Sequence, residues 1–534
     1  MTLVRTTQVR RGAAANRPTL SVGELGLDTD TGSERLWVGT ASGNIALDGG
    51  FSGVINVKYY GAKGDGTTDD TSSVTTALAA ALSATKSLYF PTGTYLLTTL
   101  VVTTNVGIKI FGDGMGATVL DFQPASGIGL NIKYVDGTGG VKLVTISDLS
   151  IKDGRTTSLA STLINVEGSV TGESPSETAA FVVLERIYTT KYNTATGTWI
   201  RLVNISHVTL QHVYSNSLNC LVGVEIESDQ AINTGVISLL DCVISASQTP
   251  LFINENSTDI IDTLTVQGCF IGHITTGNLS TINDAVKISG AVSSLSFISN
   301  HVESRGGASY AAIRVTDASL ESSSFIANHF SCNSASGTAN LYGVWFTNST
   351  VSGNSFNSNA FQRLATQPNG GAFFRVENDC TFNRQRKNNF IGNTPLITSP
   401  NYLSIEAGGN EDTIWAGLSL DPIEVTRYVS LNNAVATSFT PAIADGMFVF
   451  VVNNNTTHGG IVLLRAEAAG ASIVKIGGGA NFEVTTGVLA GTTGTNGALT
   501  VSAHTDGKVY IENRQGANVV VYFHQIAGTA FNVA

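Results

Sequence analysis

From about residue 140 to 395 the chain alternates apolar and polar positions with period two, and the alternation recurs in short, similar copies. One copy is an apolar pair, a corner residue and a further apolar residue: ISLLDCVIS (237–245), LTVQGCFIG (264–272), LSFISNHVE (295–303), SSFIANHFS (323–331) and STVSGNSFN (349–357). Aligned in this way, the corner residues are Cys242, Cys269, Asn300, Asn328 and Asn354, separated by 27, 31, 28 and 26 residues. Looser copies lie at 144–151, 182–189 and 208–215. Period two with Val, Ile, Phe and Thr predicts strands, and a repeat of this length predicts a solenoid. A right-handed parallel β-helix fits best, with coils stacked about 4.8 Å apart and asparagines laddered at an inward bend.

A second strand repeats between the corners, as LINVEG (163–168), WIRLVN (199–204), GVEIES (223–228), LFINEN (251–256), AVKISG (285–290), AIRVTD (312–317), GVWFTN (343–348) and FFRVEN (373–378). The apolar flanks of each copy point inward. The outward column is then Asn165, Arg201, Glu225, Phe252, Lys287, Arg314, Trp345 and Arg375.

Outside the repeats the pattern changes. In 54–122 a short strand leads to glycines at 61, 64 and 66, then to Thr68, Asp69 and Asp70, residues suited to a helix start. Val74, Ala77, Leu78, Ala81 and Leu82 recur at i, i+3/i+4, which predicts a short helix over 69–84 that caps the solenoid. The GDG and paired aspartates read as turns and caps rather than as a metal or catalytic site. Residues 1–50 hold two short strand-like runs and cannot bury a core alone. The β-helix is assigned to 51–400, a connector to 401–430, and an antiparallel β-sandwich of short strands to 431–534.

Composition narrows the function classes. The 534 residues carry 40 acidic and 29 basic side chains, a formal charge of −11, with only 13% charged residues against a usual ~25%. That acidic balance argues against a nucleic-acid partner. A hydrophobic content of 42% argues against disorder. MTLVRTTQVRR is basic but is followed by no apolar run that would make a secretory signal, and no run of about 18 apolar residues predicts membrane insertion. Cys220, Cys242, Cys269, Cys332 and Cys380 have neither disulfide nor metal spacing and read as small buried thiols, consistent with assembly in a reducing cytoplasm. No cofactor is expected.

GAKGDGTTDDT followed by a helix, YFPTGTYLL and IFGDG resembles the opening of the pectate-lyase-like β-helix superfamily, and more narrowly its bacteriophage tailspikes and tail fibres. RRGAAANRPTL, GELGLDTDT and RLWVGTASGN resemble the short virion-attachment segment that begins many such proteins. The resemblance implies a homotrimer in the virion, held to the phage tail or baseplate through residues 1–50 and assembled in the host cytoplasm. It also implies an enzyme that depolymerises a host surface polysaccharide. The motif is structural, so no catalytic residue transfers with it.

Glycoside hydrolysis needs two carboxylates straddling the bond. Glu225 and Glu227 are i, i+2 on one strand, so both face outward about 6.5–7 Å apart at Cβ, and Asp229 follows at the strand end. A neighbouring cation, Arg201, would keep one carboxylate ionised while the other holds its proton as the acid. These three acids are the candidate catalytic residues. Arg201, Phe252, Lys287, Arg314, Trp345 and Arg375 are the candidate substrate-binding residues, the aromatics for sugar faces and the cations for acidic groups. Glu167, Asp317, Glu377 and Asp379 are poorer pairings, and Trp345 equally suits packing against a neighbouring chain. The histidines show no ligand spacing. Two alternatives remain open: a lyase using Lys287 or an arginine as base, and a non-catalytic receptor-binding fibre.

Overall fold

The computed structural model describes residues 9–13, 18–28, 36–46, 53–104, 106–123, 127–134, 142–154, 161–168, 180–191, 197–217, 220–228, 234–255, 260–273, 284–306, 310–334, 341–363, 371–377, 380–382, 388–391, 394–396, 403–405, 418–420, 427–439, 445–452, 455–467 and 470–526. The chain divides into two compact units, 1–247 with 274–277, and 248–273 with 278–534.

The first unit begins with a four-stranded sheet, Val9–Gly12, Leu25–Asp28, Leu36–Thr40 and Gly43–Ala46, in that spatial order. Trp37 Nε1 donates to the buried Asp28 carboxylate at 2.8 Å. The glycine–aspartate motif then acts as scaffold. Asp70 accepts from the Lys63 and Gly64 amides at 2.6 and 2.9 Å, and Asp65 from the Thr67 and Thr68 amides at 2.9 and 2.8 Å. Gly64 has φ +64°, and a Cβ there would lie 2.9 Å from the Tyr95 ring, so only glycine fits. The capping helix is Thr71–Ala84 and buries Val74, Ala77, Leu78 and Ala81. Residues 69 and 70 stay outside it, because their carboxylates brace the preceding loop and the first helical amide instead.

Parallel coils follow, each placing one apolar residue above another. One interior column is Leu88, Ile110, Ile146, Leu184, Leu210 and Leu239, all buried and in register. A second is Val102, Ile132, Val166, Leu202 and Ile226. The outward positions of the strands in this second column carry the polar face described below. The fold is the all-β, right-handed parallel β-helix that the repeats predict.

In the second unit the interior is aromatic. Phe297, Phe325 and Phe356 stack in register, with Phe325 and Phe356 centroids 4.5 Å apart and nearly parallel. The corners carry asparagine ladders, but two of them rather than one. Cys269 N–H donates to Asn300 Oδ1, Asn300 N–H to Asn328 Oδ1 and Asn328 N–H to Asn359 Oδ1, at 2.9, 2.9 and 3.0 Å. The neighbouring corner runs from Ser323 to Asn354 to Asn388, at 2.8 and 2.9 Å. Asn354 therefore does not continue the Asn328 column as the repeat alignment has it. The continuation is Asn359, five residues further on in the same coil. Gly268, Ser299, Ala327 and Ser358, each one residue before the first ladder, all have left-handed φ, which turns the chain there.

Coil strands continue through Leu403–Ile405 and Leu418–Leu420, within the segment read as a connector. Beyond them lie a five-stranded and a four-stranded sheet, with Phe450 of one 5.9 Å from Phe482 of the other. Their pairings are antiparallel except for Phe482–Thr486 with Leu499–Ala503, which run parallel. All five cysteines are buried and unbridged.

Candidate active site

The strand Val222–Ser228 alternates buried Val224 and Ile226 with half-buried Glu225 and Glu227, so both carboxyls leave the same face. One coil earlier, Thr198–Val203 places Arg201 in register with Glu225 and Thr198 with Val222. Arg201 reaches diagonally: its Nη2 donates to Glu227 Oε2 in a close ion pair, and the Glu227 side chain is 17% exposed. Thr198 Oγ1 donates to Glu225 Oε2 at 3.0 Å. Burial, then the negative charge of Glu227, push the Glu225 carboxyl from 4.5 up to about 7, against a smaller opposing pull from Thr198 and Arg201. Two carboxyls on one strand thus differ in environment: one lies in a guanidinium's grip, and the other is raised to titrate at about 7.

Two earlier coils form the floor of this face. Asn131 and Asn165 lie in register beneath Arg201, with Asn165 Nδ2 donating to Asn131 Oδ1 at 3.0 Å. Lys133 Nζ sits 3.4 Å from Glu167 Oε2. Asn165 was read as an outward residue. It does leave the outer face but is 1% exposed, and its Oδ1 has no hydrogen-bond partner. Thr198 and Asn131 escaped the sequence reading, although extending the column down to the strand Gly127–Tyr134 yields Asn131 and Lys133.

The remaining members of the column stand in the second unit, in the predicted register: Phe252, Lys287, Arg314, Trp345, Arg375. Lys287 Nζ lies over the Phe252 ring at 4.7 Å, and the Arg314 guanidinium over Trp345 at 3.8 Å. Arg314 Nε donates to Asp284 Oδ2 at 2.6 Å, and Asp284 Oδ1 also accepts from the Ala311 amide at 2.8 Å. Burial drives the Asp284 carboxyl above its ordinary range despite Arg314. Trp345 Nε1 donates to Glu377 Oε1 at 2.8 Å, and Tyr342 meets the Trp345 ring edge-on at 4.7 Å. Asp317 accepts from Asn348 Nδ2 at 2.7 Å on a left-handed corner. Asp229 and Asp379 lie outside the described residues.

Among the described residues no group of three or more His, Cys, Asp or Glu side chains is placed to hold a metal ion. His273 is a satisfied interior residue: Nε2 lies 2.5 Å from the Gln248 carbonyl, the Arg305 amide donates to Nδ1 at 3.0 Å, and burial lowers its pKa to about 4.

Residues 54–296 match the family described as rhamnogalacturonase A/epimerase, pectate lyase-like. Over those residues the β-helix is similar to that family. The matched span contains Arg201, Glu225 and Glu227. Among solved structures, the chain is similar to ORF18 of Geobacillus virus E2, at 14% identity over 93% of this chain and 96% of that one, with a TM-score of 0.41. It is similar to the enzymatically active domain of tailspike protein 2 of bacteriophage CBA120, at 13% identity over 96% and 85%, TM-score 0.47. It is also similar to the A-module of a mannuronan C-5 epimerase of Azotobacter vinelandii, at 14% identity over 68% and 99%, TM-score 0.39. No curated protein sequence matches the chain. Among the described residues no helix is long and apolar enough to cross a membrane.

Proposed function

We propose that this protein is a phage tailspike that binds and hydrolyses a bacterial surface polysaccharide, with Glu225 as general acid and Glu227 as the second carboxylate. The observation that carries the reading is the split between the two acids. Glu225 is pushed up to about 7 by burial and by Glu227, so at neutral pH it has a proton to give to a glycosidic oxygen. Glu227, ion-paired with Arg201, is the carboxylate that activates water or attacks the anomeric carbon. Thr198 and Arg201 position the pair. The pectate-lyase-like match over 54–296 supports action on a polysaccharide.

Hydrolysis is favoured over β-elimination by the same geometry. Elimination needs a base and a cation for the substrate's carboxylate, whereas here Arg201 already holds Glu227 and Glu225 carries a proton. In the second unit, the Phe252 and Trp345 faces with Lys287, Arg314 and Arg375 are assigned to glycan binding. The tailspike reading further places residues 1–50 at the phage tail and makes the active form a homotrimer on the virion.

Purified protein incubated with a panel of capsules, lipopolysaccharides and exopolysaccharides is expected to release new reducing ends from one of them. Unsaturated products would convert the reading to a lyase. Binding to the host's glycan without any cleavage would leave a receptor-binding fibre and overturn the enzyme.

A further inference from the structure

His301 and His329 occupy one position on successive coils of the second unit, opposite each other in the parallel pairing of His301–Gly306 with His329–Ser334. Stacking alone would set equivalent atoms about 4.8 Å apart, yet the rings tilt so that the two Nδ1 atoms lie 3.3 Å from each other. The centroids are 4.7 Å apart at 68°. Phe270, in register one coil earlier, stacks on His301 at 5.4 Å and 29° and holds its plane. Both backbones are pinned to the buried corner: His301 N–H donates to Cys269 O at 2.9 Å and His329 N–H to Asn300 O at 2.8 Å. His301 is exposed and His329 half-buried, so solvent reaches the pair. The 28-residue separation hides the pairing from any reading of sequence spacing.

Two nitrogen ligands held about 2.0–2.1 Å from one tetrahedral ion stand roughly 3.3–3.4 Å apart. We infer that His301 and His329 form a two-imidazole chelate for a borderline divalent transition ion such as Zn²⁺, Ni²⁺ or Cu²⁺, with water in the remaining positions. Without metal, one neutral ring donates Nδ1–H to the other ring's Nδ1. On binding, that proton moves through solvent to Nε2 of the same ring, both Nδ1 lone pairs turn to the ion, and no net proton is lost. Glu303, two residues along from His301, adds negative charge beside the site while its Oε1 accepts from Arg305 Nε at 2.8 Å. The bound ion clips adjacent coils together at a corner already ordered by the asparagine ladder, so little ordering cost opposes binding.

The test is calorimetric titration of the full-length protein with zinc and nickel chlorides in a non-chelating buffer. One ion per chain is expected, with affinity falling by at least the roughly tenfold that even an outer-shell change costs in His301→Ala and, separately, in His329→Ala. His504→Ala serves as control and leaves binding unchanged. The Cu²⁺-loaded protein should show two-nitrogen hyperfine structure by electron paramagnetic resonance, reduced to one in either variant. A wild-type chain that binds no ion, or binding that survives either substitution, overturns the chelate. His301→Phe, which keeps a ring against Phe270, separates loss of a ligand from loss of fold.

Discussion

Arg201 and Glu227 pair diagonally rather than straight up the column: the guanidinium is in register with Glu225 but its Nη2 donates to the carboxylate two residues further on. In the proposed mechanism that diagonal decides which carboxyl is left to serve as the acid. Glu225 is left with burial and an anionic neighbour that raise its carboxyl, against a threonine hydroxyl that offsets them only in part.

A falling activity limb near neutrality follows. Glu225 must be protonated to act as acid, and its carboxyl sits at about 7 in the fold. Turnover should therefore decline as pH rises through about 7, and Glu225→Gln should lose about 10²–10⁴-fold in kcat and abolish that limb. Stability should follow the same sign. The folded-state value lies above the unfolded 4.5, so the contribution is complete below 4.5 and is lost as pH rises through about 7. Melting curves of wild type should fall between slightly acid and slightly alkaline buffer more than those of Glu225→Gln. Coincident curves would remove the raised carboxyl from the account.

Replacing Arg201 with Met tests the diagonal itself. The guanidinium draws the Glu225 value down, so its loss should move the basic limb to higher pH while kcat drops by about 10²-fold or more, as Glu227 loses the guanidinium that positions it. Thr198→Val, which removes the larger of the two downward pulls, should shift the limb the same way and further, with less loss of turnover. An unshifted limb in both variants would assign the titration to another group.

The β-helix and the outward column were legible because a solenoid repeats its own register: Arg201 over Asn165 and Trp345 over Arg314 follow from aligned strands alone. The asparagine corners were legible in kind but not in order. Asn354 and Asn359 both sit at bends of one coil, and both carry the N–x–F spacing of Asn328, so the alignment settled on the wrong one. Asn165 shows why an outward position is not the same as an exposed one. Asp284 left no periodic trace, since it precedes the strand Val286–Ser293 rather than lying in the column. The carboxylate split at Glu225 and Glu227 could be anticipated from i, i+2 spacing beside a cation, but the diagonal that decides which acid keeps its proton needs coordinates.

The two ladders should prove separable and additive. Asn328→Ala strands the Asn300 amide and the Phe297 carbonyl, which it serves at 2.9 and 2.8 Å, while Asn354→Ala strands the Ser323 amide and the Leu320 carbonyl, both at 2.8 Å. Each should cost about 2–6 kcal/mol, from about 1–3 for each of the two buried groups left unpaired. If they formed one column, the double variant would cost less than the sum. Denaturant unfolding of the two single variants and the double variant decides between these outcomes.

Asp284 and Arg314 form a buried pair, 6% and 14% exposed, in which the carboxyl still lies above its ordinary range. Arg314 also covers the Trp345 face, so truncating it has two separable consequences. For stability, Arg314→Met leaves Asp284 buried without its cation, a loss of about 3–5 kcal/mol. The carboxyl then titrates higher still. Because a raised acid value gives stability that disappears as pH rises, the variant should weaken further toward alkaline pH than wild type does. Adding Asp284→Asn removes the stranded charge and should restore much of the loss and flatten that dependence, while still leaving the tryptophan face uncovered. For binding, both variants should weaken retention of the host glycan, because the guanidinium no longer backs Trp345 or reaches an acidic group. Trp345→Ala should weaken it further, by one stacking contact of about 1 kcal/mol or more. If the double variant regains stability and also regains full glycan affinity, Arg314 serves the fold alone, and the binding assignment of this column fails.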